Sequence, residues 1–315
     1  TLFRSYGGLQ TDDPNLLKLK NSVYSNQSFS ANIDDWNVSG QLTFNYKIHN
    51  RIRIYSNLSV GFKPVGLNLG GLPTENGLPM VELAVVKPER VHHYELGVKS
   101  EPNKQSTLNL TFFNTDVYNY QTNVNSQELG VNRGYLSNAK QVRVFGAELE
   151  FSYSILKHLR FNTSLSYTDG KYVSFENAPV PLEEAGGAQN YKDISGQVLP
   201  GISKWASSAG IEAFTNLKSK KFPVEFFIGF DSFYRSTFSS NPTPSKYLVV
   251  KDYFLVNSRI GFRQSKGFTV FFWMRNLANQ NYFEQLLPAA GNIGQYAGVL
   301  GDPRTYGVTM RYNFF

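Results

Sequence analysis

The feature that most constrains this sequence is an alternation of apolar and polar residues that recurs along most of the chain. The final segment shows it: RTYGVTMRYNFF (304–315) places Tyr306, Val308 and Met310 on one parity and mostly polar residues on the other. A period of two is the pattern of a β-strand with one apolar and one polar face. A chain composed of such segments is predicted to be all-β.

The same alternation predicts eleven strands. Their approximate bounds are 38–48, 52–60, 94–98, 108–113, 140–154, 160–167, 205–213, 224–231, 254–263, 268–275 and 306–314. In the fifth strand, Val142 and Val144 lie on the opposite parity to the apolar row that follows them, so a β-bulge is expected at Gly146. Residues 1–33 lack periodicity and are predicted to form a long loop.

The connections between the predicted strands alternate in length. Short turns fall near residues 50, 103, 157, 219 and 265, and a long loop follows every second strand. This is the organisation of an antiparallel, up-and-down transmembrane β-barrel of the outer membrane, with short periplasmic turns and long extracellular loops. Strands of ten or more residues favour the barrel over a soluble β-sandwich, in which two apolar faces pack together. A β-propeller is disfavoured because no blade-length repeat is visible.

Composition restricts the partners and the chemistry. The 315 residues are 15% aromatic and 17% charged and include no cysteine, which removes disulfides and thiolate metal sites. No stretch approaches the roughly 20 apolar residues that a membrane-spanning helix needs. The net charge of +7 comes from basic residues spread singly along the chain, so no nucleic-acid partner is predicted. Motifs such as G-x-S-x-G and H-E-x-x-H are absent, and the protein is predicted not to be an enzyme.

Eight segments, spread over nearly the whole chain, carry a family resemblance. They are DDWNVSGQLTFNYKI (34–48), IYSNLSVGFKPVGLNL (54–69), HYELGVKSE (93–101), VRVFGAELEFSYS (142–154), LSYTDGKY (165–172), DISGQVLPGISKWASSAGIE (193–212), NLANQNYFE (276–284) and RTYGVTMRYNF (304–314). In this order they resemble the C-terminal half of the barrel of TonB-dependent outer-membrane receptors of the siderophore-receptor type.

The resemblance implies a larger assembly. Such receptors have about 22 strands around a plugged lumen, so residues 1–315 are expected to be the C-terminal part of the barrel, without the plug domain and the N-terminal strands. An eleven-stranded open sheet exposes two edges, and residues before Thr1 are expected to complete the barrel.

The resemblance also implies a function and partners. It implies a bacterial outer-membrane location, contact with outer-membrane lipid, and capture of a small-molecule or metal-chelate ligand, commonly a ferric siderophore. It further implies a TonB-type energy-coupling protein that acts through the plug. The alternative is a passive or structural outer-membrane barrel, or an interaction subunit, without active transport.

Candidate ligand contacts lie in the long loops and at their junctions with the strands. They are Lys63, Asn68, Tyr234, Arg235, Tyr296, Arg304 and Tyr306. Arginines on the polar face are predicted to be solvated or to form inter-strand ion pairs rather than to contact a plug or ligand. These are Arg53, Arg160, Arg259, Arg275 and Arg311.

No catalytic residue, metal site or cofactor is predicted. His92 and His93 are adjacent, so in a strand they point to opposite faces and cannot chelate one ion together. Glu183, Glu184 and Asp193 offer oxygen ligands of the type that binds hard cations, but an ordinary solvated loop is the favoured interpretation.

Overall fold

One antiparallel sheet of eleven strands organises the chain. The computed structural model describes residues 2–5, 11–23, 27–30, 32–69, 72–75, 78–125, 134–217, 224–264, 267–289 and 294–314. Each strand of this sheet pairs with the strand that follows it, so the predicted eleven strands and their up-and-down order are confirmed. The strands are β1 (Gly40–His49), β2 (Ile52–Lys63), β3 (Glu89–Asn103), β4 (Ser106–Asn125), β5 (Gly134–Leu156), β6 (Leu159–Ser174), β7 (Trp205–Leu217), β8 (Val224–Arg235), β9 (Tyr253–Gln264), β10 (Phe268–Arg275) and β11 (Thr305–Tyr312).

Over the described residues the connections alternate in length as predicted; the turns predicted near residues 219 and 265 and most of the loop predicted after the fourth strand lie outside those residues. The long loops span 64–88, 175–204, 236–252 and 276–304, and all of them leave the same end of the sheet. Short strand pairs stiffen these loops, because backbone hydrogen bonds hold each pair together. The pairs are Gly66–Leu67 with Val85–Val86, Thr74–Glu75 with Leu78–Pro79, Ala178–Pro179 with Tyr191–Lys192, Phe238–Ser239 with Val249–Val250, and Phe283–Pro288 with Tyr296–Leu300.

The apolar face of the sheet is exposed. Register partners form a continuous apolar row across four strands, from Ile228 through Ile260 and Phe272 to Val308. Phe272 is 38% exposed and Val308 is 61% exposed. A second sheet packed on this face, as in a β-sandwich, would bury both side chains. The exposure therefore excludes the sandwich.

Aromatic side chains border the apolar face at both of its ends. Toward the long loops, the ring centroid of Tyr167 lies 4.9 Å from that of Trp205 and 6.4 Å from that of Phe145. Toward the short turns, the rings of Phe226 and Phe262 are 5.5 Å apart. An aliphatic band between two aromatic girdles is the lipid-facing pattern of transmembrane barrels.

On the polar face, several glycines lie directly opposite an aromatic residue of the next strand. A Cβ atom on each glycine would collide with the partner's side chain. Glycine is needed here for space, because the large neighbour covers it across the strand pair. The pairs are Tyr55–Gly97, Phe113–Gly146, Phe271–Gly261 and Trp273–Gly307.

The β-bulge predicted at Gly146 is wrong. Gly146 pairs with Phe113 on one side and with Thr168 on the other, and the register does not shift at either contact. The irregularity lies on β6, where Tyr172 and Ser174 pair with consecutive residues of β5 and Val173 is the extra residue.

The change of parity before Gly146 has a different cause. Val142 is 1% exposed and belongs to a buried cluster with Tyr172, Phe175 and Ile194. The 175–204 loop packs over this part of the polar face, so apolar residues are needed there. Val142 and Val144 are therefore inward-facing core residues, while the row after Gly146 is on the exposed apolar face.

The loop predicted for residues 1–33 is also wrong. Helix α1 (Pro14–Val23) forms there, and the strands Leu2–Ser5 and Gln27–Ser30 pair with each other. Asp13 caps the helix, since its Oδ1 accepts a 2.8 Å hydrogen bond from the Asn15 backbone N–H, and Pro14 suits the first helical position. Across the described ranges, no helix is both long enough and apolar enough to cross a membrane.

Candidate ligand-binding site of the long loops

Three long loops meet at the carboxylate of Glu183. Its Oε2 accepts hydrogen bonds from the Tyr296 hydroxyl at 2.8 Å and from the Ser245 hydroxyl at 3.0 Å, and its Oε1 accepts one from the Lys246 backbone N–H at 3.0 Å. The ring of Tyr296 also lies 5.0 Å from that of Tyr247. The 175–204, 236–252 and 276–304 loops are thus joined through one side chain.

The hydrogen bonds at Glu183 keep its carboxylate ionised. Burial alone would raise the pKa of Glu183, but the donors from its own backbone, Tyr296, Ser245 and Lys246 outweigh it and lower that pKa. For Tyr296, burial and the hydrogen bond to the Glu183 carboxylate raise the pKa to about 12. At neutral pH the contact is therefore between a carboxylate and a neutral phenol, which makes a charge-assisted hydrogen bond.

Arg235, at the end of β8, makes a second connection between loops. Its Nε donates to the Ser203 hydroxyl at 2.8 Å, and its Nη2 donates to the Gly201 carbonyl at 2.5 Å. The guanidinium also lies 3.7 Å from the ring centroid of Phe238. Arg235 therefore fixes the 175–204 loop against the start of the 236–252 loop.

Asn68 ties the 64–88 loop to strand β5. Its Nδ2 donates to the carbonyls of Leu83 at 2.7 Å and Leu136 at 2.9 Å, and its Oδ1 accepts from the Leu136 N–H at 2.7 Å. The side-chain amide imitates a neighbouring strand along the edge of β5. Asn68 is 5% exposed, so its polar atoms are used within the protein.

A cavity of about 490 Å³ opens between the 64–88 loop and the 175–204 loop. Its wall combines aromatic rings with side chains of both charges, and its size is in the range of small-molecule sites, roughly 300–1,000 Å³. Such a wall suits an organic ligand with apolar surface and several hydrogen-bonding groups. The side chains include Met80, Glu82, Tyr135, Lys140, Phe175 and Tyr191.

The sequence profile of the family described as TonB dependent receptor-like, beta-barrel, matches residues 12–277. The chain belongs to this family. No curated protein sequence matches it. In a TonB-dependent receptor barrel, the apolar face of the sheet is the lipid-facing surface and the polar face is the wall of the lumen.

Solved structures of TonB-dependent receptors share the fold. The ferric yersiniabactin uptake receptor FyuA of Yersinia pestis is 17% identical, with a TM-score of 0.66 over 92% of this chain and 38% of that protein. The siderophore receptor PiuA of Acinetobacter baumannii is 17% identical, with a TM-score of 0.60 over 90% of this chain and 36% of that protein. The ferripyoverdine receptor of Pseudomonas aeruginosa is 15% identical, with a TM-score of 0.56 over 92% of this chain and 35% of that protein. The chain thus spans less than two fifths of these receptors.

Two of the predicted ligand contacts are on the apolar face of the sheet, opposite to the polar face. Tyr234 shares the parity of Phe230, whereas its neighbour Arg235 points to the opposite face. Tyr306 is 71% exposed, and its ring lies 6.3 Å from that of Phe272 on the apolar face. Both placements favour contact with lipid over contact with a ligand in the lumen.

The other predicted contacts are separate from one another. Lys63 Nζ lies 3.5 Å from Glu89 Oε1 where β2 ends. Arg304 precedes β11, and its Nη1 donates to the Leu277 carbonyl at 3.5 Å. Among the predicted residues, Arg235 and Tyr296 help to join the loops. Sequence reasoning missed Glu183 as the residue that joins three loops, and it missed the cavity residues Tyr135, Phe175 and Tyr191.

Ion pairs connect strands β6 to β9 on the lumen wall, and Arg160 and Arg259 take part in such inter-strand pairs, as predicted. Glu212 on β7 lies 2.9 Å from Arg263 and 3.2 Å from Arg259, both on β9. Arg259 also pairs with Asp231, and Arg263 with Glu225. Arg160 on β6 lies 3.9 Å from Glu212.

The loop carboxylates weighed as cation ligands contact protein donors. Glu184 lies 2.7 Å from Lys192 Nζ, and Asp193 accepts a 2.8 Å hydrogen bond from the Ser195 N–H. Within the part of the chain that the structure describes, no group of three or more histidine or acidic side chains is arranged to hold a metal ion.

Proposed function

We propose that this chain is the barrel region of an outer-membrane receptor that takes up a scarce, bulky nutrient, a ferric siderophore or a similar metal chelate. The observation that carries the proposal is the family match over residues 12–277. The linked loops around Glu183 and the aromatic cavity between the 64–88 and 175–204 loops support ligand capture at the long-loop end. Iron chelates are the cargo named for the receptors of Yersinia pestis and Pseudomonas aeruginosa.

The proposal includes parts outside this chain. The edges of the sheet, β1 and β11, pair on one side only, and eleven strands are half of the about 22 in receptors with a plugged lumen. We therefore infer a C-terminal half-barrel, completed by N-terminal strands and filled by a plug domain. A TonB-type partner would supply energy through that plug.

Uptake by whole cells tests the proposal. The full-length receptor is expressed in cells that lack their own siderophore receptors, with and without a TonB-type partner. The cells are then given catecholate, hydroxamate and mixed siderophores loaded with iron-55. We expect accumulation of at least one chelate that requires the partner. Tyr191→Ala, in the cavity, should lower it, whereas Tyr234→Ala, on the lipid-facing surface, should not.

The same experiment tests the alternative hypothesis, a passive or structural barrel without active transport. Accumulation that is independent of the TonB-type partner would show a passive channel. No accumulation of any chelate, with the receptor folded in the membrane, would overturn siderophore uptake.

A further inference from the structure

A row of three basic residues crosses the lumen wall near the short turns. Lys47 on β1 is the register partner of Arg53 on β2, and Arg53 is the partner of Lys99 on β3. All three lie on the polar face and are exposed. Three positive charges therefore stand side by side on three successive strands.

No carboxylate stands within this row at the described positions. Like charges directly opposite each other on neighbouring strands repel, since their Cβ atoms are only about 5 Å apart. On β7–β9 the lumen wall avoids such repulsion, because Glu212 lies between Arg259 and Arg263. Over the described ranges, Lys47, Arg53 and Lys99 form no ion pair.

The row faces a cavity of about 300 Å³. His49, Arg51 and Asn109 also line this cavity, and Glu101 is the one carboxylate among its described lining residues. Lys99 Nζ lies 5.4 Å from the ring centroid of Tyr55, which leaves the ammonium group available to an anion. The cavity is therefore positively charged and accessible from the lumen.

We propose that the row Lys47–Arg53–Lys99 binds carboxylate side chains of an acidic polypeptide segment inside the lumen. The inference rests on the proposed function, which places a plug domain there. The three strands that carry these cations span about 10 Å, a width that matches two or more acidic side chains of one polypeptide segment. Such a segment would remove the repulsion along the row, whereas one small anion bound to converging side chains is the competing arrangement that the phosphate measurement below tests.

Zero-length cross-linking tests this in the full-length receptor in outer membranes. A carbodiimide joins a lysine amine to a carboxylate in direct contact with it, and mass spectrometry identifies the two residues. We expect amide bonds from Lys47 or Lys99 to acidic residues of the lumen-filling domain. The Lys47→Arg/Lys99→Arg variant keeps both charges but loses both amines, so these links should disappear from a folded protein.

Lys192 and Glu184, 2.7 Å apart in a loop, report in the same sample that the reagent has reacted. If this control link forms while Lys47 and Lys99 stay unlinked, or link only to Glu101, the inference is overturned. Equilibrium dialysis with labelled inorganic phosphate gives a second measurement. Stoichiometric phosphate binding that is abolished by Arg53→Gln would show a site for a free anion, and this result would also overturn the inference. Arg311→Gln, which removes an arginine elsewhere on the polar face, is the matched control.

Uptake in the same cells separates this inference from the proposed function. Cross-links to a lumen-filling domain without chelate uptake support the inference and contradict transport. Energy-dependent uptake without the cross-links supports transport and contradicts the inference.

Discussion

The Tyr296 hydroxyl lies 2.8 Å from Glu183 Oε2, although 113 residues separate the two positions in the sequence. The contact joins the last long loop to the 175–204 loop, and Ser245 and Lys246 bring a third loop to the same carboxylate. Loops that would otherwise move independently are therefore expected to open and close together.

Tyr296→Phe should loosen all three loops. The substitution removes one hydrogen bond to a charged acceptor, which contributes about 1–2 kcal/mol in a partly exposed site. Amide hydrogen exchange should therefore be roughly 5- to 30-fold faster in the segments that contact Glu183. Tyr306→Phe, on the lipid-facing surface, should leave these rates unchanged. If Tyr296→Phe accelerates exchange near Tyr296 alone, the loops are not coupled through Glu183.

The loop junction should be stable near neutral pH and fail in acid. The pKa of Glu183 is lowered from its ordinary value of 4.5. The contribution of its ionised form is therefore complete above pH 4.5 and is lost as the pH falls through the folded-state value. The pKa of Tyr296 is raised from 10.0 to about 12, so its contribution is complete below pH 10 and is lost as the pH rises through 12.

Hydrogen exchange corrected for intrinsic rates, measured from about pH 3 to pH 7, gives the acid side of this profile. Glu183→Gln should already be loosened at pH 7 and should show little further change in acid. If hydrogen exchange accelerates equally in acid in the wild type and in Glu183→Gln, a titrating group other than Glu183 causes the acceleration.

Asn68→Ala should release the 64–88 loop from β5. The substitution leaves the N–H and C=O of Leu136 without the amide that now satisfies them, at a cost of about 1–3 kcal/mol. Limited proteolysis should cut within residues 64–88 more readily than in the wild type. Asn279→Ala, which removes a hydrogen bond to Arg304 in another loop, is the matched control. Unchanged proteolysis together with weaker ligand binding would support the direct ligand contact predicted for Asn68.

Gly97→Ala should destabilise the barrel. A Cβ at this position would overlap the ring of Tyr55 on the neighbouring strand, and overpacking of this kind costs about 1–3 kcal/mol. The urea midpoint of the receptor in detergent should fall. Gly61→Ala should have little effect, because the nearest atom to its new Cβ is 4.0 Å away. In a Tyr55→Ser background, Gly97→Ala should lower the free energy of unfolding by less than it does in the wild type. An equal loss in both backgrounds would refute the steric explanation.

The sheet could be predicted from sequence because each strand carries its own alternating pattern. Membrane strands meet lipid on one face and water or protein on the other, so the period of two is strong. The pattern failed at Val142, because a loop buries part of the polar face there. The sequence contained the signal for α1, since Asp13 and Pro14 form a helix start.

The loop contacts could not be predicted in the same way. No periodicity links Glu183 with Tyr296, and their meeting depends on how separate loops fold over the same end of the sheet. Parity did contain information about Tyr234 and Arg235, since neighbours in a strand face opposite sides. Applied to each candidate in turn, that rule places Tyr234 and Tyr306 with the lipid-facing residues.

The pairing of glycines with aromatic residues along the lumen wall has an evolutionary consequence. The ring of Tyr55 occupies the space that a side chain at its register partner, position 97, would need. A larger residue at position 97 is tolerated only if position 55 becomes smaller, so the two positions should change together among relatives. Trp273 with Gly307 should covary in the same way, because only the Trp273 ring lies against that glycine, and each covarying pair would fix the register of two adjacent strands.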